Sequence, residues 1–310
     1  MKTIRWVIAH EPIDLFLRAA NRFSKQVKEQ TNGAIDIEVL SLTDYAKKYN
    51  NGKKVTKHDL LQLMEDGTVE MSQMYTTWLG HYNKDMFVLD LPFLFRDHEH
   101  ADRVLEGEIG EYLLEGLEQS SAVRGLAFTY SGGFRIVPSQ QEYATVDAFK
   151  GAKIRTARSP VAVDTFLAVG ATPIDTVELE EMNEAARAGI IDAGESTFVR
   201  VIPLEQDKSF AYVNDTAHSL FLTSIIVANG FWDTLDSATQ EIMKDAALNA
   251  ARIERRESIV DVATVKDTLG DRVVEMSTDE TAKFKTATEV VYTKYADYFS
   301  NDLINKIKSA

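Results

Sequence analysis

Apolar positions along the chain change period several times, and each change marks an element. TIRWVIAH is a compact apolar run that reads as a first strand. The next stretch, EPIDLFLRAANRFSKQVKEQTNG, repeats apolar residues at Leu15, Ala19, Phe23 and Val27. That spacing lines one face of a helix, and Gly33 supplies its exit. AIDIEVL alternates as a strand. SLTDYAKKYNNGKKVTK is polar and is expected as loop. HDLLQLMEDG predicts a short helix ending at Gly67, and VEMSQMYTTWL a strand running into a loop. This order of strands and helices predicts an α/β layer architecture.

The same reading continues to the C-terminus. DMFVLDLPFLFRDHEHADRVL is apolar but interrupted by Pro92, which suits a buried crossing better than a central strand. IGEYLLEGLEQS is helical. VRGLAFTYSGGFRIVPS predicts a strand, a glycine-rich bend and a second strand. KIRT reads as a short strand, VAVDTFLAVG as a helix capped by Gly170, and ATPIDTVELEEMNEAARAG as a strand and a helix. IIDAGEST reads as a buried strand with a polar end. FAYVNDTAHSLFLTSIIVANGFWDTL predicts a long strand region able to pass between domains. The charged run beginning ATQEIMKDAA predicts one long amphipathic helix, which could lie across two lobes. VVEMS is a short strand, and the remainder is C-terminal helix. No Gly/Ser/Pro linker and no repeat divides the chain, so two domains would be joined through ordered elements.

Composition narrows the function classes. The chain has 310 residues, 45% of them hydrophobic, and a formal net charge of -14. That length suits one large or two medium domains. The acidic balance disfavours nucleic acid or an anionic membrane as partner, without excluding a local positive pocket. There are no cysteines, which removes disulfides, thiolate nucleophiles and cysteine-held metals. No run reaches the length of a membrane-spanning helix. The start, MKTIRWVIAH, lacks a signal-peptide apolar core, yet a removed signal would leave the same start. No phosphate-binding glycine loop, GxSxG elbow or HExxH metal motif occurs, so neither catalysis, a cofactor nor a metal is expected.

Three constellations remain. Arg135, Arg155 and Arg158 lie within 24 residues, around glycine bends and strand ends. An arginine fork fits a carboxylate bidentately. By spacing alone they read more readily as surface partners of the many carboxylates than as an anion site. Alternation puts Lys153 and Arg155 on one strand face and Ile154 on the other. Glu195, Ser196 and Thr197 end the strand IIDAGEST, a usual ligand position in open sheets, although Glu195 could instead serve a helix end. Tyr75, Trp78, Tyr82, Phe93 and Phe95 could wall a pocket or fill a core. His10 ends the first strand.

The run VDAFKGAKIRTARSPVAVDTFLAVGATPIDTVELEEMNEAARAGIIDAGEST resembles the hallmark region of the DctP-type solute-binding proteins of TRAP transporters. FSKQVKEQTNGAIDIEVL, LMEDGTVEMS, VLDLPFLF, FAYVNDTAHS and FWDTLDSATQEIMKDAA extend the likeness over nearly the whole chain. The resemblance implies an α/β, two-lobe periplasmic-binding-protein-like fold with a ligand cleft, crossing strands and a long helix spanning the lobes. The expected lobes are residues 1–127 plus 216–250, and 128–215 plus 251–310. It implies a periplasmic protein, monomeric and without nucleic acid partners, that captures a small carboxylate by lobe closure and delivers it to a TRAP-type membrane permease. Arg155 matches the arginine that bridges the ligand carboxylate, and Arg135 its assistant. Arg158 stands where a second ligand group could be met. His10, Gln73, Tyr75 and Trp78 become candidates for the first-lobe wall, and Asn214 for the return crossing. Two positions depart from the family pattern. Ser196 replaces a common asparagine beside the retained Glu195. The segment SLTDYAKKYNNGKKVTKHDL is longer than usual and could bring Tyr45 or Tyr49 over the cleft. The alternatives are a ligand-sensing receptor module, and an enzyme on a small carboxylate with Glu195 as base.

Overall fold

The computed structural model describes residues 2–10, 14–300 and 302–310. The chain forms two compact units. The first comprises 1–75, 105–130 and 222–257; the second comprises 76–104, 131–221 and 258–310. Residues 76–104 group with the second unit, whereas the sequence reading places them in the first. Their neighbours explain the grouping. The His100 ring bonds to the Ile307 carbonyl at 2.7 Å, and Phe93 packs edge-on against Phe284.

The first unit is built on a five-stranded sheet in the order Ile35–Ser41, Lys2–Ile8, Met71–Tyr75, Leu220–Ala228, Val123–Phe134. The first three strands are parallel, and Leu220–Ala228 runs antiparallel to Met71–Tyr75. Helix Asp14–Gln30 connects the first two strands and buries Leu15, Phe16, Ala19, Ala20, Phe23 and Val27. Phe23 meets the Trp6 ring edge-on at 5.1 Å. The start of the predicted helix, residues 11–13, lies outside the described residues.

The second unit holds a six-stranded sheet in the order Val273–Glu275, Tyr212–Asp215, Val137–Ser139, Ala193–Gly194, Lys153–Arg155, Thr172–Ile174. Ile154 is fully buried beside Phe149, Phe166, Ala193 and Phe284. Apolar burial of this kind contributes about 25 cal/mol per Å², and it fixes which way the neighbouring Arg155 must turn.

Of the five unit boundaries, four fall inside helix His98–Glu106, strand Val123–Phe134, strand Leu220–Ala228 and helix Ser237–Leu269, the last being 33 residues and about 50 Å long; the fifth separates strand Met71–Tyr75 from helix Thr76–Leu79. Regular structure carries the chain from one unit to the other, which is why no linker composition marks the boundary.

Three local expectations change. The polar stretch expected as loop contains helix Leu42–Tyr49, started by the Ser41 hydroxyl accepting from the Asp44 N–H and anchored by buried Tyr45 and Ala46. The glycine bend is not a break: Val123–Phe134 continues through Gly132 and Gly133, both at positive φ. The buried strand at IIDAGEST shrinks to Ala193–Gly194.

Candidate functional site

Arg155 ends the strand Lys153–Arg155 and pairs in register with Gly194. Because Ile154 faces the core, the Arg155 side chain leaves on the opposite face. It keeps 8% of its surface exposed. Its Nε donates to the Val177 carbonyl at 3.0 Å. Among the described residues nothing else bonds to the guanidinium, and no carboxylate forms an ion pair with it. Burial holds its pKa below the usual guanidinium value, opposed by nearby Glu195 and assisted by nearby Arg135. The result is an anchored, mostly desolvated cation with its terminal donors uncommitted.

A buried charge network stands next to it. The Glu195 backbone N–H donates to the Arg155 carbonyl at 2.8 Å. One Glu195 oxygen accepts the Ala157 N–H at 2.7 Å; the other lies 3.1 Å from His218 Nε2 and 3.9 Å from Arg135 Nε. Burial alone would raise this carboxyl, but Arg135, His218 and the Ala157 N–H outweigh it and bring the pKa down to about 2. His218 is oriented by Thr216, whose hydroxyl is 2.7 Å from Nδ1, and its ring meets Phe166 edge-on and lies parallel to Phe284. Arg135 is almost fully buried, with its guanidinium 3.7 Å from the centre of the Phe221 ring and 3.7 Å from Asp90. The Arg200 guanidinium approaches the same ring at 4.9 Å and donates to the Ser131 hydroxyl.

The structure therefore brings Arg155, Arg135 and Glu195 together. Arg158 is placed differently. It is 45% exposed, pairs with Glu178 at 2.8 Å, and borders an open groove of about 790 Å³ with His81, Asp164, Lys294 and Tyr298. Ser196 is fully buried and its backbone pairs with Ile136. The Asn214 amide makes three hydrogen bonds inside the sheet, to Tyr143 N–H, the Val137 carbonyl and Ser139 Oγ.

The remaining candidates divide between the units. In the first, the His10 ring stacks on Tyr75 at 3.6 Å between centroids. Gln73, central in the sheet, donates to Thr129 and Thr223 at 2.8 and 3.1 Å. Trp78 belongs to the second unit and contacts His81 edge-on. Tyr45 is buried, and Tyr49 donates to Glu38 of the neighbouring strand Ile35–Ser41 at 2.6 Å.

Sequence reasoning assigned none of Asp90, Arg200 and His218 to the site. Asp90 sits inside VLDLPFLF, where one acid in an apolar run is the available signal.

The geometry sets a largely desolvated guanidinium with uncommitted terminal donors on an α/β scaffold. Comparison with known proteins identifies the family. The model of the DctP family, bacterial extracellular solute-binding protein family 7, matches residues 8–298. The C4-dicarboxylate-binding periplasmic protein DctP of Rhodobacter capsulatus is 26% identical over 298 residues, covering 94% of this chain and 86% of its own. A TRAP periplasmic solute-binding protein from Ochrobactrum anthropi superposes with a TM-score of 0.86 at 26% identity, over 99% of this chain and 93% of its own. One from Pseudomonas putida F1 with bound D-glucuronate reaches 0.87 at 23% identity, over 100% and 97%. The chain belongs to the DctP family of solute-binding proteins. Its two-sheet α/β fold is that of the periplasmic solute-binding proteins of TRAP transporters.

Proposed function

We propose that the protein captures a small organic carboxylate outside the cytoplasmic membrane through Arg155 and passes it to a TRAP-type permease. The observation that carries this reading is the Arg155 guanidinium: held through Nε by Val177, largely desolvated, and with its terminal nitrogens bonded to no described residue. A carboxylate is the partner that fits this fork and offsets its desolvation. Relatives point to the same ligand class: the Rhodobacter capsulatus protein is named for C4-dicarboxylates, and the Pseudomonas putida structure holds D-glucuronate.

Glu195 suits positioning rather than base catalysis. Its two oxygens are engaged and its carboxyl is held near 2, far from the range of a working base at neutral pH. It brackets Arg155 instead, through its own N–H to the Arg155 carbonyl and its carboxylate to the Ala157 N–H. Arg135, enclosed by Asp90, Glu195 and Phe221, assists by field rather than by contact.

A thermal-shift screen of sugar acids, hydroxy acids and dicarboxylates should find a binder that raises the melting temperature. Calorimetry with that binder should then show Arg155→Ala weakening it by at least about tenfold. Unchanged affinity in Arg155→Ala would remove the arginine bridge, and a screen without any binder would remove carboxylate capture.

A further inference from the structure

Two guanidiniums of the second unit are clasped by consecutive residues. The Val177 carbonyl accepts from Arg155 Nε at 3.0 Å. The Glu178 carboxylate pairs with Arg158 Nη2 at 2.8 Å. Consecutive Cα atoms lie about 3.8 Å apart, so one short segment holds both cations within reach of a single small molecule. The segment is itself braced: the Glu178 N–H donates to the Glu181 carboxylate at 3.1 Å, where the short helix Leu179–Glu181 begins.

The two cations differ in what they have left to offer. Arg155 is mostly desolvated, and its terminal donors are uncommitted. Arg158 is 45% exposed and already holds a carboxylate. The groove beside it presents His81, Asp164, Asp175 and Lys294. Lys294 is committed to Asp164 at 2.6 Å, and the His81 ring bonds to the Arg158 carbonyl at 3.0 Å. Glu178 and Glu180 also favour the Arg155 charge through space. Arg135 and Arg200 pack on the Phe221 ring and do not line the groove.

A ligand's first carboxylate therefore meets an uncommitted fork at Arg155. A second carboxylate reaches Arg158 only by displacing Glu178. The displaced anion stays tethered next to Val177, and so beside both ligand charges. Like charges placed this way repel, and a repulsive group is an effective means of discrimination. A hydroxyl meets no such repulsion, because it can donate to Glu178 and accept from Arg158 without parting them. We propose that Glu178 determines specificity: it occupies Arg158 as a resident carboxylate and biases the site toward monocarboxylates bearing hydroxyl groups, against dicarboxylates. The inference rests on the carboxylate-capture reading above and narrows its ligand class.

Matched probes test it on the intact protein near pH 7, where every carboxyl of the probes is ionised. The pairs are D-erythronate with meso-tartrate, and D-gluconate with D-glucarate. Within each pair a terminal CH2OH becomes a second carboxylate and nothing else changes. Calorimetry should show the monocarboxylate binding about fivefold tighter than its dicarboxylate, the scale of a partly exposed charge contact. Glu178→Gln keeps the size and removes the charge; it should tighten the dicarboxylate by about fivefold and move the monocarboxylate by less than about twofold. Glu178→Asp keeps the charge and should keep the wild-type preference, which a merely structural role would not require. The wild-type preference should also narrow in about 0.5 M NaCl, where screening weakens the repulsion. A dicarboxylate that binds the wild type as tightly as its partner overturns the selection and leaves capture at Arg155 intact. A preference unchanged in folded Glu178→Gln overturns the role of Glu178. Binding by neither monocarboxylate overturns the proposal, whereas capture itself is decided by the wider thermal-shift screen above.

Discussion

Glu195 stays ionised where burial alone would neutralise it, and the difference is made by Arg135, His218 and one backbone N–H. Its folded pKa, about 2, lies below the ordinary carboxyl value of 4.5. The native state therefore binds fewer protons than the unfolded state between those values. The resulting stability is fully present above pH 4.5 and is lost as pH falls toward 2. Glu195→Gln removes one partner of a buried charge pair, so it should cost about 3–5 kcal/mol in urea unfolding at pH 7. It should also flatten the acid limb of the stability curve. A variant with the wild-type midpoint and the same acid limb would show that the network carries no such charge. Arg158 poses a different question, because its partner Glu178 is partly exposed and can be exchanged. Arg158→Ala should weaken a dicarboxylate more than a monocarboxylate of similar size. Equal losses, read by calorimetry, would leave Arg158 as a surface ion pair worth little.

At the scale of elements, the strand pairing Arg155 with Gly194 is the structural root of the site. A Cβ at Gly194 would press on Met182 Sδ and sit 3.3 Å from Arg155 Cβ. The methionine end is flexible and can give way, while the arginine stem is fixed by Ile154 behind it. Gly194→Ala should therefore lower ligand affinity several-fold while costing about 1–2 kcal/mol of stability. An affinity that stays at wild type would mean the pairing does not position Arg155. Much of this frame was legible beforehand. The strand at Lys153–Arg155, the face on which Arg155 stands, the helix after Pro160 and the helix Ser237–Leu269 follow from periodicity and caps. The helix Leu42–Tyr49 did not, because it buries only Tyr45 and Ala46 and its surroundings are lysine-rich. Asp90 and its neighbours were not legible for a different reason. Arg135 and Glu195 are remote in sequence, and an acid becomes informative only when its surroundings remove water. The resemblance to the family located Arg155; the fold was needed to separate the anchored Arg155 from the enclosed Arg135 and the exposed Arg158.

For the molecule as a whole, the proposed anion site sits in a chain of formal charge -14. Such an excess repels itself in the folded state, and salt relieves it: the screening length falls from about 30 Å at 0.01 M to about 8 Å at 0.15 M. Raising NaCl over that range should raise the melting temperature by a few degrees. Chloride binding at Arg155 would produce a rise of the same sign, so the two causes need separating. Screening acts on all 48 acidic residues against 34 basic ones and does not depend on one arginine. Arg155→Ala should consequently keep the salt-dependent rise, and potassium glutamate, whose anion is bulkier, should reproduce it in the variant. A rise that disappears in Arg155→Ala would assign the effect to anion occupancy of the site. That outcome would also mean chloride competes with the carboxylate, and affinities would then have to fall with chloride at constant ionic strength.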